Sequence, residues 1–164
     1  MIDSAKADAL FGDPDTCTNP VGGFTVAYPD SWYTNTEFGT VPACSWFSPT
    51  SYEVTTSDEV PDEVVITINV YFNPLGSFTQ PELSLQEEVP VSGFAGHRRE
   101  QVGVTYESGG HEALPPSYHY FVVSGDPRGD APRILATSER DGALDYSLNK
   151  AVLDRIMASL EFHD

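Results

Sequence analysis

The sequence predicts an α+β domain: an antiparallel β-sheet of about six strands covered by a long C-terminal helix and a shorter helix, an α/β/α sandwich. Three observations lead to it. Segments that alternate with period two, rich in β-branched and aromatic residues, recur between Phe24 and Glu139. The period changes once, near Asp145, to the three-and-four spacing of an amphipathic helix. Prolines and glycines stand at the breaks between segments, where the chain must turn.

Residues 1–16 read as a polar leader with a helical turn or two around Ser4–Phe11, and residues 17–164 as one domain. The stretch GFTVAYPDSWY opens that domain. Phe24–Tyr28 alternates as a strand, and Pro29, which lacks an N–H and fixes its own φ, ends it. Trp32 then folds back as an apolar plug, under the closing helix or at a sheet edge. Ala43–Ser48 is a second short strand stopped by Pro49, and residues 49–62, rich in Ser, Thr, Asp and Pro, form a long exposed loop or hairpin arm.

Glu63–Phe72 carries the clearest strand pattern. Val64, Ile66, Ile68, Val70 and Phe72 take one face, and Val65, Thr67, Asn69 and Tyr71 the other. Residues 73–90 hold Pro74, Pro81 and Pro90, with a short helix near Glu82–Glu88. Ala95–Tyr106 is the next strand. After a glycine-rich loop, Ser117–Ser124 and Arg133–Glu139 make an antiparallel hairpin across the turn GDPRGDAP. From Asp145 to Leu160, the residues Leu148, Val152, Ile156 and Leu160 fall four apart, an apolar stripe that must lie on a sheet face. Asp145 or Ser147 caps this helix, and Glu161–His163 is a last edge strand.

Three stretches also carry a family resemblance. GFTVAYPDSW resembles the strand–Pro–Trp opening of the fold shared by the photosystem II extrinsic protein PsbP, a Ran-binding nuclear-transport protein and actinobacterial secreted lipoproteins. VSGFAGHRRE resembles that family's Gly–x–Ala/Gly–x–Arg strand, and LDRIMASLEF its closing helix and Ser-Leu-x-Phe tail. The likeness spans about residues 20–163, and it implies the α/β/α sandwich and a mostly non-enzymatic family.

At 164 residues, with 40% hydrophobic and 20% charged, the chain has the length and balance of one globular domain. Eight Lys+Arg against 25 Asp+Glu give a net charge of −17. That surface repels nucleic-acid phosphates and anionic lipid, so neither nucleic acid nor membrane insertion is expected. It favours cationic partners or divalent ions, or it simply keeps the chain soluble in a salty habitat. Cys17 and Cys44 lie where the chain can bring them together, as a disulfide or as two buried thiols. The disulfide is the preferred reading, and with it an extracytoplasmic location, a signal peptide or lipid anchor being expected upstream of Met1.

No nucleophile elbow, phosphate loop or HExxH helix occurs. Arg128-Gly129-Asp130 is explained by turn chemistry, and the acidic clusters lack the order of a tight calcium loop. The first functional reading is therefore a monomeric, non-enzymatic domain that binds a protein or small ligand, without cofactor or metal. Its contacts would be Tyr71, His119 and Phe121 on the sheet face opposite the long helix, with Arg99 at the rim. The preferred reading of that face, however, is a cover from the N-terminal residues and the 73–90 segment, with Leu83 and Leu85 packing there, and the groove is the alternative. Two other classes stay open: a metal-dependent hydrolase using His97, His111 or His119, and an assembly subunit that adds an edge strand to a neighbour.

Overall fold

Among the described residues the chain forms two antiparallel sheets and two helices, so the α+β class stands. The computed structural model describes residues 4–71, 87–91, 93–94, 96–101, 117–123, 133–139 and 145–163. In chain order the elements are helix α1 (Ser4–Leu10), β1 (Asp15–Asn19), β2 (Phe24–Tyr28), β3 (Tyr33–Thr34), β4 (Trp46–Ser48) and β5 (Ile66–Tyr71). There follow β6 (Glu87–Glu88), β7 (Gly96–Gln101), β8 (Ser117–Val123), β9 (Arg133–Glu139), helix α2 (Tyr146–Ser159) and β10 (Glu161–Phe162).

The single sheet of about six strands divides. A seven-stranded sheet runs β3-β4-β5-β9-β8-β7-β6, and a separate three-stranded sheet runs β1-β2-β10. The strand Phe24–Tyr28 therefore leaves the large sheet. It pairs with β1 on one side and with the C-terminal strand on the other. Its inward Phe24 and Val26 are wholly buried in the same core as Ile66, Ile68 and Ile134 of the large sheet. Helix α2 lies on both β2 and β9, and α1 lies on α2 with Ala7 buried. The buried arc of α2 (Ala151, Val152, Leu153, Ile156 and Met157, with Leu160 just past its end) is wide because it seals two sheets at once.

Strand β1 was not visible as a strand, for a physical reason. Asp15–Asn19 is an edge strand whose residues are mostly exposed, so backbone bonds to β2 hold it without an apolar face. Cys17 consequently lies inside β1. The β1–β2 turn is built by Asn19, whose buried side chain accepts the amides of Val21 (3.0 Å) and Gly22 (2.9 Å) through Oδ1. Gly23, at φ +66, completes it.

Several boundaries shift. The second strand begins at Trp46, and Cys44 before it takes a left-handed φ of 66. Regular pairing in the strand expected from Glu63 starts at Ile66. Glu87 and Glu88, placed at the end of a helix, are extended and pair with β7; residues 82–86 lie outside the described residues. Gly96 is required where β6 runs into β7, since a Cβ there would stand 2.3 Å from the Val89 carbonyl. Of the strand expected over Ala95–Tyr106, Gly96–Gln101 is observed and residues 102–106 lie outside the description. The loops at 107–116 and 124–132 lie outside it too. Asp145 occupies the cap position of α2 at φ 57 but makes no side-chain cap bond, and Ser147 is inside the helix. Glu161–Phe162 is the expected closing edge strand, though on the small sheet. Trp32 is 6% exposed in the core, its N–H donating to the Pro29 carbonyl at 2.9 Å.

Candidate functional site

Register places the four residues named for a groove. Arg99, His119 and Thr137 face one another across β7, β8 and β9, on the sheet face away from α2. Phe121 stands two residues along that face, opposite His97 and Leu135, while Tyr71 pairs with Arg133 at the far end of β5. Arg99 and His119 are thus brought together, Phe121 is their near neighbour, and Tyr71 sits two strands from β8. Phe121 is 4% exposed, and half-buried His119 has Nδ1 3.2 Å from the Thr137 hydroxyl. Leu83 and Leu85 of the expected cover lie outside the described residues, as does His111, and the N-terminal helix α1, expected to help cover this face, packs on α2 instead. His97 and His119 occupy diagonal register positions of that same face. Among the described residues no group of three His, Cys, Asp or Glu side chains comes together.

Two open clefts among the described residues lie at the β3–β4 end of the large sheet. One cleft of about 350 Å³ is lined by Val21, Val41, Trp46, Asp58, Val60 and Asn69, among others. Asn69 lies on the same face of β5 as Tyr71, so this cleft reaches the face that the sequence singles out. A second cleft, about 270 Å³, is lined by Tyr33, Thr34, Asn35, Phe38, Tyr52 and Val54, among others. Both draw lining residues from the 36–42 segment and from the irregular segment after β4, with no residue in common. Between them in sequence, Gly39 takes a left-handed φ of 57, and an added Cβ there would make ordinary contact with Ser57 at 3.4 Å.

Asn35 holds this region in place. Its buried side chain donates to the carbonyls of Pro42 (2.8 Å) and Thr36 (3.0 Å), and accepts the amides of Ser45 (3.0 Å) and Trp46 (2.9 Å). Its own carbonyl takes the Cys44 amide at 3.2 Å, beside the Cys17–Cys44 disulfide that ties the loop to β1. Tyr52 anchors the other wall, donating its hydroxyl to the Trp46 carbonyl at 2.8 Å. Burial pushes that phenol up to about 12, so it stays a donor at any ordinary pH.

A third constellation lies on the α2 side of the large sheet, and sequence reasoning missed it. Asp154 Oδ1 accepts the hydroxyls of Tyr118 (2.7 Å) and Tyr120, and faces Arg98 Nη1 at 3.4 Å. One turn earlier, Lys150 donates to Glu100 at 2.6 Å, and Tyr146 donates to the same oxygen at 3.0 Å. The guanidinium of Arg98 lies 5.9 Å from both tyrosine rings, and the Lys150 ammonium 4.9 Å from the Tyr146 ring. Burial, reinforced by the hydrogen bond to Asp154, pushes the Tyr118 phenol up and takes Tyr120 up to about 12. Burial alone would raise Glu100, but the bonds from Lys150 and Tyr146 hold its carboxyl below the usual range. The signal was present in two places: Arg98 and Glu100 alternate onto one strand face, and Lys150 and Asp154 fall four apart on the helix. Neither cleft touches this cluster, and every polar group named in it has a partner, so it serves as a brace between helix and sheet.

One further pair has nucleophile–base spacing. His163 Nε2 lies 2.5 Å from the Thr25 hydroxyl, which is 2.8 Å from that of Thr18. Both contacts are exposed on the small sheet, away from the two clefts. No family model matches the chain, and no curated protein matches it.

Proposed function

We propose that the chain is a non-enzymatic, extracytoplasmic binding domain of the PsbP-like α/β/α type, which engages its partner at the two clefts around residues 33–60. One observation carries this reading. Five large apolar side chains are exposed among the described residues: Val21, Tyr33, Phe38, Val60 and Phe94. Four of these five line the clefts, and the fifth, Phe94, meets the Phe162 ring edge-on at 5.1 Å. Exposed apolar groups gathered at concave surface mark binding sites more often than scattered ones do. The disulfide supports an oxidising compartment, and among the described residues no helix is long and apolar enough to cross a membrane.

The reading is tested by amide chemical-shift mapping on the full chain with short peptides of varied charge and apolarity. Shifts confined to residues 33–60 and the facing Val21 and Asn69 are expected. Shifts that gather instead on the β7–β8–β9 face, or no shifts with any peptide, overturn it.

A further inference from the structure

We infer that the occupant of these clefts is a cationic, extended peptide segment in which Lys or Arg alternates with apolar residues; this rests on the binding reading above. The charge distribution is the first ground. Between Lys6 and Arg98 the sequence contains no Lys or Arg at all. Within that stretch, Glu37, Glu53, Asp58, Glu59, Asp62 and Glu63 are all exposed. Asp58 lines the first cleft, Glu37 falls between the lining residues Thr36 and Phe38, and Glu53 between Tyr52 and Val54. The ion pairs of the described residues join α2 to β7 and to α1, and none of these six acids takes part in them. Asp58 in the first cleft, and Glu37 and Glu53 beside lining residues of the second, therefore have no ion-pair partner among the described residues.

The shape is the second ground. Two separate clefts built from the same 36–42 and 51–60 segments, each with apolar lining, suit the successive side chains of an extended chain better than one compact molecule. The second cleft borders β3, which among the described residues is the last strand of the large sheet and pairs with β4 on one side only. In that cleft wall the Thr34 hydroxyl is buried without a hydrogen-bond partner. An extended segment laid along β3 would take up its free edge, as strand addition does elsewhere. A second copy of this chain is a poor occupant, since it would bring −17 against −17. Nucleic acid and anionic lipid fail on the same sign.

The test uses the full disulfide-bonded chain and three fluorescein-labelled eight-residue peptides: alternating Lys-Val, Ser-Val and Glu-Val. Fluorescence anisotropy should show the Lys-Val peptide binding, with affinity falling about tenfold or more between about 20 mM and about 300 mM NaCl. A quadruple variant, Glu37→Gln, Glu53→Gln, Asp58→Asn and Glu59→Gln, should lose about tenfold at low salt. A control of equal net charge, Asp13→Asn, Asp15→Asn, Asp30→Asn and Glu161→Gln, should keep wild-type binding. All eight positions are exposed, so both variants should retain the parent circular dichroism. Equal losses in the two variants overturn the inference, because the attraction is then merely that of an acidic molecule. Salt-independent binding of Ser-Val as tight as Lys-Val also overturns it, while leaving the clefts as a binding site. Absence of binding by all three peptides overturns both the cationic and the binding reading.

Discussion

Asp154 accepts from Tyr118 and Tyr120 and faces Arg98 with a single carboxylate oxygen, and its side chain is 15% exposed. Both phenols have pKa values raised above the ordinary 10, because burial disfavours phenolate and the neighbouring carboxylate repels it. A group whose folded pKa is raised contributes stability that is whole below its unfolded pKa and is lost as pH climbs toward the folded one. The unfolded chain releases these protons from about pH 10, whereas the folded chain still holds that of Tyr120 until about 12. Urea midpoints should therefore be flat between pH 7 and 9 and fall steeply from 10 to 12; phenolate absorbance at 295 nm from these two should rise only with unfolding. A midpoint unchanged up to pH 12 would contradict the buried-phenol account. Asp154→Asn should cost about 2 kcal/mol at neutral pH, since a charge-accepting site for two hydroxyls and Arg98 is lost. Its alkaline fall should shrink yet persist, because burial is the larger cause.

At the scale of elements, short cross-links hold strands that have little apolar surface of their own. The Ser159 hydroxyl at the end of α2 accepts the Ala27 amide at 2.8 Å, continuing the ladder that β10 starts along β2. The disulfide joins β1 to the loop that Asn35 organises, across a sequence separation of 27. Closing a loop of that length removes chain entropy from the unfolded state worth about 3.5 kcal/mol. Reduction, or the paired change Cys17→Ser with Cys44→Ser, should lower unfolding stability by roughly that amount. Hydrogen exchange should locate the loosening in β1 and residues 35–45 before it reaches β8 and β9, which are central in the large sheet. Uniform loosening of all strands would show that the bridge stabilises the molecule as a whole and not this corner.

For the whole molecule, the excess of acid is the governing term. A net charge of −17 opposes the compact state by self-repulsion, and the seven cations from Arg98 onward cannot reach every carboxylate of the first half. Added salt shortens the range of that repulsion to about 8 Å at 0.15 M. The thermal midpoint should rise by several degrees from low salt to about 0.5 M NaCl, as one or two kcal/mol of repulsion is relieved. A midpoint that falls with NaCl would mean that the pairs on α2 (Lys150–Glu100, Arg155–Asp8) outweigh the repulsion.

The sequence by itself determined what side-chain periodicity can encode. Val152, Ile156 and Leu160 announced a covering helix; the alternation around Ile66–Tyr71 and Ser117–Val123 announced half-buried strands; Pro29 announced where β2 must end. Each follows from local geometry, where burying one face requires a repeat of two or of three and four. The tertiary structure alone decided how the strands divide. Nothing in Phe24–Tyr28 says which sheet it joins, because its buried face is equally apolar in either; that choice was made by the partners β1 and β10, far apart in the chain. The edge strands Asp15–Asn19, Tyr33–Thr34 and Glu87–Glu88 were hidden because backbone bonds, which leave no side-chain trace, hold them. The candidate site was hidden for a related reason. Its apolar rim comes from single residues, Val21, Tyr33, Phe38 and Val60, scattered over loops with no period, and only folding gathers them around two clefts.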